Sequence, residues 1–457
     1  MTLTSDEVNF LIYRYLLESG FVHSAFCFGN ESHIAKSKIV GGDVPPGSLI
    51  SFLQKGLQHT EIECHVNDDG TETLCDAPFS LVTKHECNIK SKTKLFDPDV
   101  PMDEDYGSLE ISRELTSHYK GHNDTVFTCA VNPNGDMLVS GSQDCTARLW
   151  QHIEDPSRSR CLNLLEKQPS SAAIHLAQWS PNGSMFAVAS LTGDCWIFTS
   201  DGASRHNLPG HTSPITAIKW SPDGQYLLSC SLDSTVAVWN AANGHIVQQW
   251  RFNAGVLDAD WRNGSTFACG VADQAAYICE MEKEQPVAAF CKHTGDVNCV
   301  KWDPSGNLLA TCSDDATVKV WSPQKSEALV LDITGHGRDI CCIAWGAVTH
   351  ERHSVQVLAS ASFDCTVRIW NAANGSCLLV LSKHLHPIIS LSFNRSGDYL
   401  ACVSHDRVFI WSTNDGVLLK TFKAGGGVNC ISWLPNSDAF VIATANNALI
   451  NVRFRPL

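Results

Sequence analysis

Serine, histidine and aspartate recur at fixed distances along this chain, and together they can build a nucleophile, its general base and the carboxylate that orients the base. Three sets share one spacing: a histidine 22 residues before an aspartate, a hydroxyl four residues before it and a tryptophan six residues after it. They are His122, Ser140, Asp144 and Trp150; His211, Ser229, Asp233 and Trp239; and His293, Thr311, Asp315 and Trp321. A fourth set, His336, Ser360, Asp364 and Trp370, keeps the hydroxyl and tryptophan distances with a longer gap after the histidine. A hydrolase needs one such set, so repetition points to architecture instead. The carboxylate can accept from the imidazole, the imidazole can engage the hydroxyl, and the hydroxyl can reach the indole N–H. A buried polar chain of this kind stabilises only when every member is satisfied. No residue is therefore assigned a catalytic role.

The elements that must position these side chains follow from the period. A Gly-His or Lys-His pair anchors each set, at His122, His211, His293, His336 and His384, in steps of 89, 82, 43 and 48 residues. The two long steps each hide a weaker unit, one through Trp179-Ser180-Pro181-Asn182-Gly183 to Asp194, the other through Trp261 to Asp273. A last unit runs from Gly427 through Trp433 to Asn446, which makes eight between about residue 109 and residue 457. A period in the forties with Gly-His and a terminal Trp is the signature of a WD-repeat β-propeller. Short apolar runs such as Leu308–Ser313 and Thr317–Trp321, parted by an Asp-Asp-Ala turn, read as antiparallel strands. The expected fold is mainly β: eight four-stranded blades that must stack to bury their faces. Several units are degenerate. Phe198 and Cys279 stand where Trp is expected, Cys402 replaces a hydroxyl, Asp406 is one residue too close to Trp411, and Asn446 replaces Asp. The segment Leu109–His118 is expected to complete the eighth blade beside Leu449–Phe454 and so remove an exposed edge.

Bulk properties narrow the function. Hydrophobic residues make up 44% of the chain, ample for a core, and no apolar run approaches the ~18 residues of a membrane helix. The first residues are polar and acidic, so no signal peptide is expected, and the protein is expected to be soluble and intracellular. Net charge is −15, and residues 1–108, with 17 acidic and 8 basic side chains, carry −9 of it. Such a chain does not grip DNA through its general field, whereas a basic partner such as a histone tail is compatible. None of the 20 cysteines forms a Cys-x-x-Cys pair. They read as small buried hydrophobes, and no metal or cofactor is expected.

The first forty residues are of another kind. Thr4-Ser5-Asp6-Glu7 is a capping box, followed by Val8, Leu11, Ile12, Tyr15 and Leu16 at helical spacing, with Gly20 as the stop. Phe21, Ala25, Phe26 and Phe28 supply a second short apolar helix. About thirty residues cannot bury that much aromatic surface alone, so the stripe calls for a partner: foremost another copy of itself, and as the alternative the propeller, from which an acidic linker separates it. Pro45-Pro46 then leads into a helical patch with Leu49, Ile50, Phe52, Leu53 and Leu57. Residues 60–108 are polar, and Lys84, Lys90, Lys92 and Lys94 read either as an import signal or as part of a solvated linker.

Asp6–Leu11, Arg14-Tyr15-Leu16, Glu18–Phe21 and His23–Phe26 together resemble a LisH motif. Val44-Pro45-Pro46 through Gln54–Gln58 resembles the F-box-like segment found beside it. Trp302-Asp303-Pro304, Ser313-Asp314-Asp315 and Leu358–Asp364 resemble the propeller of the same proteins, the transducin β-like family of nuclear-receptor corepressor subunits. The organisation this implies is a LisH oligomerisation motif (1–40), an F-box-like segment (41–66), an acidic linker (67–108) and the propeller (109–457). The resemblance further implies a non-enzymatic nuclear adaptor. Its partners would be N-CoR/SMRT-type corepressors, a class I histone deacetylase, histone tails, transcription factors, and ubiquitin-conjugating and proteasome components that assist corepressor/coactivator exchange. Val8, Leu11, Ile12, Tyr15, Leu16, Phe21, Ala25 and Phe26 would form the groove for self-association and corepressor binding. On the propeller, Asp314, Arg338, Asp339, Phe363 and His405 fall in loops where partners of propellers sit, and the bland reading of each is a solvated loop residue. The insertion around His350–His353 reads as a tolerated loop. Two alternatives stand beside the adaptor. A ubiquitin-ligase substrate receptor would use the F-box-like patch, which is short for a complete F-box. A LisH-WD dynein or microtubule regulator would need a coiled coil, but no heptads appear and Pro45-Pro46 interrupts the region.

Overall fold

The computed structural model describes Ser5–Glu18, the isolated positions Phe28, Ser32 and Leu49, and residues 109–454 except 154–157, 166–171, 325–327, 351–352 and 436–438. The chain separates into two compact units, Met1–Asp103 and Glu104–Leu457. In the first, Ser5–Glu18 forms helix α1, which carries the periodic apolar stripe. Leu11, Ile12 and Leu16 are half-buried and Tyr15 is exposed. Among the described side chains of α1 the buried one is Phe10, at 8% exposure, which lies beside the stripe. Phe21, Ala25 and Phe26 lie outside the described residues, as do the linker (67–108) and, apart from Leu49, the F-box-like segment (41–66).

In the second unit, 32 strands among the described residues form eight four-stranded sheets. Residues 126–163 make blade 1 (β2–β5), 174–208 blade 2 (β6–β9), 215–251 blade 3 (β10–β13) and 256–290 blade 4 (β14–β17). Residues 297–333 make blade 5 (β18–β21), 340–381 blade 6 (β22–β25), 388–423 blade 7 (β26–β29), and 428–453 with 116–120 blade 8 (β30–β32 with β1). The first strand of every blade packs on the first strand of the next, and β30 returns to β2, which closes the ring. The sheets are antiparallel meanders. Hence the loop entering each blade and the turn between its second and third strands lie at one end, and the other two connections at the opposite end.

The first strand of every blade carries a register shift between its first and third residues. A bulge there re-aims the second side chain, and in five blades that side chain crosses to the next blade. Thr216 donates to Val256 O (2.6 Å), Asn298 to Ile340 O (3.0 Å), Cys341 to Ile388 O (2.9 Å) and Asn429 to Val126 O (2.8 Å), and His175 Nε2 lies 2.5 Å from Ile215 O. Near the other end of the same strands a second series of contacts spans the blades. The indoles of Trp179, Trp220, Trp261, Trp345 and Trp433 each donate at 2.9–3.1 Å to a carbonyl in the preceding blade.

Closure differs in detail from the expected strand over Leu109–His118. Thr116–Lys120 (β1) pairs with Ala448–Arg453 (β32) and completes blade 8. The residues before it serve blade 7. Glu110 makes a parallel bridge to Thr421, Ile111 N donates to Thr421 O at 2.8 Å, and a 3₁₀ turn, Arg113–Leu115, joins the two contacts. The insertion in blade 6, read from the sequence as a loop, is a hairpin extension. Ile340–His350 (β22) and His353–Ser362 (β23) stay paired out to His350 and His353, because the inserted residues continue the ladder. Tyr119 on β1 donates its hydroxyl to Ile153 O at 2.5 Å, and Asn451 Nδ2 reaches the same carbonyl at 3.3 Å. Because the carbonyl keeps a second donor, Tyr119→Phe should cost only about 1 kcal/mol in urea unfolding. Deleting 109–120 should instead leave β32 as a bare edge and turn a monodisperse size-exclusion peak into aggregate.

Candidate interaction face and the polar chains beneath it

Four blades hold complete polar chains. In blade 3, Trp239 Nε1 donates to Ser229 Oγ (2.8 Å), His211 Nε2 lies 2.8 Å from that oxygen, and His211 Nδ1 lies 3.0 Å from Asp233 Oδ2. Blade 1 gives 2.9, 2.8 and 3.1 Å for Trp150, Ser140, His122 and Asp144. Blade 5 gives 2.9, 2.7 and 2.8 Å for Trp321, Thr311, His293 and Asp315, and blade 6 gives 2.8, 2.7 and 2.8 Å for Trp370, Ser360, His336 and Asp364. One proton arrangement satisfies every member: a neutral imidazole donates from Nδ1 to the carboxylate and accepts at Nε2 from the hydroxyl, which itself accepts from the indole.

A fifth residue, missed in the sequence, completes the set. The threonine two positions after each aspartate, Thr146, Thr235, Thr317 or Thr366, donates its hydroxyl to Oδ1 at 2.5–2.7 Å and its backbone N–H at 2.9–3.0 Å. The backbone N–H after each anchor histidine donates to Oδ2 at 2.8–3.0 Å. Each carboxylate thus accepts four hydrogen bonds. The signal was visible as Asp-x-Thr in all four sets, with Cys145, Ser234, Ala316 and Cys365 between them at φ of 61–68°. Glycine before the histidine has its own cause. A Cβ on Gly210 would stand 2.8 Å from Trp239 Cη2, so the indole lies where a side chain would go.

The geometry that holds these chains also disqualifies them as hydrolytic triads. Ser140, Ser229, Thr311 and Ser360 are fully buried, and each hydroxyl is engaged by an indole on one side and an imidazole on the other. No face remains for a substrate carbonyl.

The other blades substitute. In blade 2, Thr192 stands at the aspartate position and Asp194 at the threonine position, bonded Thr192 Oγ1 to Asp194 Oδ2 at 2.8 Å. This corrects the reading of Asp194 as that unit's turn aspartate, and Thr192, six residues before Phe198, restores the spacing. In blade 4, Tyr277 donates to Asp273 at 2.8 Å in place of a histidine. In blade 7, Cys402 replaces the hydroxyl, so Trp411 donates directly to His384 Nε2 at 3.3 Å, and burial pushes the His384 pKa down to about 4. In blade 8, Asn446 Nδ2 donates to Gly425 O at 2.7 Å.

These chains hold one end of the ring in place. Just before the aspartate position, the backbone N–H of Gln143, Leu191, Leu232, Ala272, Asp314, Phe363 and Ala445 donates to the carbonyl at the mouth of the same blade's first strand, at 2.8–3.1 Å. The circle so pinned changes character from blade to blade. Leu191 and Leu232 are exposed on blades 2 and 3. On blades 4 and 5, burial together with the Asp314 and Asp273 carboxylates raises the Asp296 pKa, and Asn298 Nδ2 bonds Asp314 at 2.6 Å. On blades 6 and 7, Phe363, Leu385 and Ile389 are exposed, and the His386 and His405 rings lie 4.9 Å apart. Of the residues picked from the sequence, Asp314, Arg338, Asp339, Phe363 and His405 are all exposed at this end, on three consecutive blades. Phe363 N donates to Asp339 O at 3.0 Å. Leu385 and Ile389 were missed, because exposure of an aliphatic residue next to a strand start leaves no mark in the sequence.

A LisH helix joined to a closed WD40 ring defines a class of scaffold and adaptor proteins. The LisH family matches residues 6–32, and the WD domain, G-beta repeat family matches 113–151, 202–240, 284–322, 327–371 and 375–412. The chain is 38% identical to the F-box-like/WD repeat-containing protein TBL1X of Mus musculus, over 87% of this chain and 89% of that one. It is 30% identical to the WD40 repeat-containing protein HOS15 of Arabidopsis thaliana, over 99% and 100% of the two chains. The chain therefore belongs to the F-box-like/WD repeat-containing family. The solved C-terminal WD40 domain of Sif2, 18% identical, superposes with a TM-score of 0.65 over 74% of this chain and 98% of that one, which shows a shared fold.

The saturated carboxylates carry a pH signature. Burial alone would raise the Asp364 pKa, but the bonds from Thr366, Gly337 N–H and His336 outweigh it and hold it down to about 2; Asp144, Asp233 and Asp315 are lowered by like sets of bonds. Their folded pKa lies below the unfolded value of about 3.9. The stabilisation is therefore full above about pH 4 and is lost as pH falls toward 2. Asp364→Asn should destabilise by about 2 kcal/mol at pH 7. In urea unfolding followed from pH 7 to pH 2.5, the gap between variant and parent should close below pH 4; a constant gap would refute this account of the carboxylate.

Proposed function

We propose that this protein is a non-enzymatic nuclear adaptor of a histone-deacetylase corepressor complex. The observation that carries the reading is the pairing of two separate binding elements in one chain. One is a LisH helix whose stripe residue Tyr15 is left exposed, and the other is a propeller end pinned by buried polar chains and faced with Phe363, Asp314, Arg338, Asp339 and His405. Residues 1–40 would self-associate through Val8, Leu11, Ile12, Tyr15 and Leu16 with Phe21, Ala25 and Phe26, and the assembled groove would receive an N-CoR/SMRT-type corepressor segment. Residues 41–66 would act as the F-box-like element and 67–108 as an acidic linker. The propeller, 109–457, would meet histone tails and transcription factors, with the Asp273, Asp296 and Asp314 sector complementary to basic residues. A class I histone deacetylase, ubiquitin-conjugating enzyme and proteasome components would join through the same assembly, and they account for exchange of corepressor for coactivator. The names of the F-box-like/WD repeat-containing relatives support the family-level reading, and the saturated, sealed Ser/His/Asp sets support a role without chemistry.

Two variants separate the elements. Tyr15→Glu with Leu16→Glu in the full chain should reduce the sedimenting species to monomer and lower capture of a corepressor fragment at least tenfold, with the thermal midpoint of the propeller unchanged. Asp296→Asn with Asp314→Asn should leave the oligomer intact and weaken binding of a histone-tail peptide by roughly tenfold, about 1.4 kcal/mol, in fluorescence anisotropy at low salt. An oligomer untouched by the first pair, with corepressor capture unchanged, would overturn the reading.

A further inference from the structure

At seven junctions the last strand of one blade leads into the first strand of the next. At the eighth, where blade 8 meets blade 1, the backbone crosses from β1 to β2, so β30–β32 are held to blade 1 only by side chains and by their pairing with β1. Two thiols face each other there. Cys430 is the third residue of β30 (Val428–Trp433), and Cys129 is the fourth residue of β2 (Val126–Val131). Cys430 Sγ lies 3.7 Å from Cys129 O, and Cys129 Sγ lies 4.0 Å from Cys430 O, so each sulfur sits over the other's backbone. Equivalent positions at other junctions pair a single cysteine with an aliphatic residue, as with Cys299 and Ile343 or Cys342 and Leu391. At the blade 4–5 junction they hold Asp258 and Val300, whose N–H donates to Asp258 at 3.2 Å. The closing junction alone places cysteine on both sides.

The two thiols differ in role. The bond donated by Cys129 holds the Cys430 thiol down to about 7. The same contact, with burial, pushes Cys129 well above its ordinary value. Cys129 is buried and Cys430 half-buried. Cys430 is thus the thiolate that meets an oxidant, and Cys129 the protonated partner that resolves the product.

We propose that Cys129 and Cys430 are an oxidation site at which a hydroperoxide closes a disulfide across the last junction of the ring. The Cys430 thiolate attacks the outer peroxide oxygen and the O–O bond breaks. Cys430 becomes a sulfenic acid, and the departing alkoxide or hydroxide takes up the proton that Cys430 had released. Cys129 then attacks the sulfenic sulfur, the S–O bond breaks, and its hydroxyl leaves as water with the Cys129 proton. Two thiols lose two electrons in all, and the peroxide gains them. The new bond joins residues 301 apart in sequence, so it restricts the unfolded chain far more than a short bridge would. It ties β30 covalently to β2, so that β30–β32 no longer depend on the pairing with β1 alone to stay in the ring. The vicinal pair Cys341 and Cys342, with sulfurs 3.7 Å apart, would close no loop and so could not do this.

The test uses the full chain, reduced, desalted and treated with a small excess of hydrogen peroxide, then alkylated and mapped by mass spectrometry without reduction. The expected result is a peptide cross-linked between Cys129 and Cys430, together with a thermal midpoint raised by about 5 °C or more and returned to its starting value by dithiothreitol. Cys430→Ser and Cys129→Ser should each abolish both the cross-link and the rise. The wild-type map decides the matter even if a variant folds poorly. Recovery of Cys129 and Cys430 as free thiols while exposed Cys161, Cys291 and Cys377 are oxidised would overturn the proposal, as would the cross-link with no change in midpoint.

Discussion

A carboxylate that accepts four hydrogen bonds in a half-buried turn is the point on which each complete blade is organised. Asp233 illustrates the economy. One oxygen takes the imidazole N–H of His211 and the backbone N–H of Thr212, and the other takes the hydroxyl and backbone N–H of Thr235. Three pieces of chain far apart in sequence are tied by one side chain: the loop entering the blade, the turn between its second and third strands, and, through the imidazole and Ser229, the strand that carries Trp239. An uncompensated carboxylate at that depth would be expensive, so the arrangement tolerates little loss. Removing any donor exposes the cost of burying the charge, which makes the turn geometry specific as well as stable.

The bulge at the second residue of every first strand is the complementary device between blades. A regular strand would alternate its side chains between the two faces of its sheet; the bulge re-aims this one, and Thr216, Asn298, Cys341 and Asn429 each find a carbonyl on the neighbouring blade. The indole contacts from Trp179, Trp220, Trp261, Trp345 and Trp433 do the same near the other end. The blades without a full polar chain, 2, 4, 7 and 8, all take part in these contacts, which explains how units with Phe198, Cys279, Cys402 or Asn446 at key positions stay in a regular ring. Stability here is shared between neighbours, so degeneracy in one blade is buffered by the two beside it.

The fold was legible in the sequence because its signals are long-range and repeated. His, hydroxyl, Asp and Trp at constant separations fix a turn, two strands and an entry loop at once, and five anchors spaced by one or two repeats in the forties fix the ring. What escaped reading was local or compensatory. Asp-x-Thr went unread because the threonine's value lies in bonds to a carboxylate whose burial sequence does not display. The exchange of Thr192 and Asp194 conserves the bonded pair and swaps its order, so a search for the aspartate lands two residues late. The hairpin extension in blade 6 carries polar and histidine residues that look like a loop, and only pairing across His350 and His353 makes them strands. The entry segment was expected to serve one blade and serves two, since a parallel bridge at Glu110 has no sequence signature. In α1, periodicity identified the stripe but not that Phe10, one residue outside it, is buried.

The division of labour between buried and exposed residues bears directly on how such a ring can act as an adaptor. Everything that determines blade geometry lies at the carboxylate or beneath it. In seven blades the residue just before the aspartate position is tied to its own blade's entry through its backbone N–H, which leaves its side chain free to differ. Across the ring that position holds Gln143, Leu191, Leu232, Ala272, Asp314, Phe363, His405 and Ala445, a range no structural requirement would produce. Variation at a rigidly held position lets a surface acquire specificity without a stability cost: the backbone is pre-organised, so a partner does not have to order a loop on binding. Exposed aliphatic and aromatic side chains beside carboxylates then give a partner both area to cover and a charge to neutralise, and the pinned backbone beneath them keeps the two at a fixed separation.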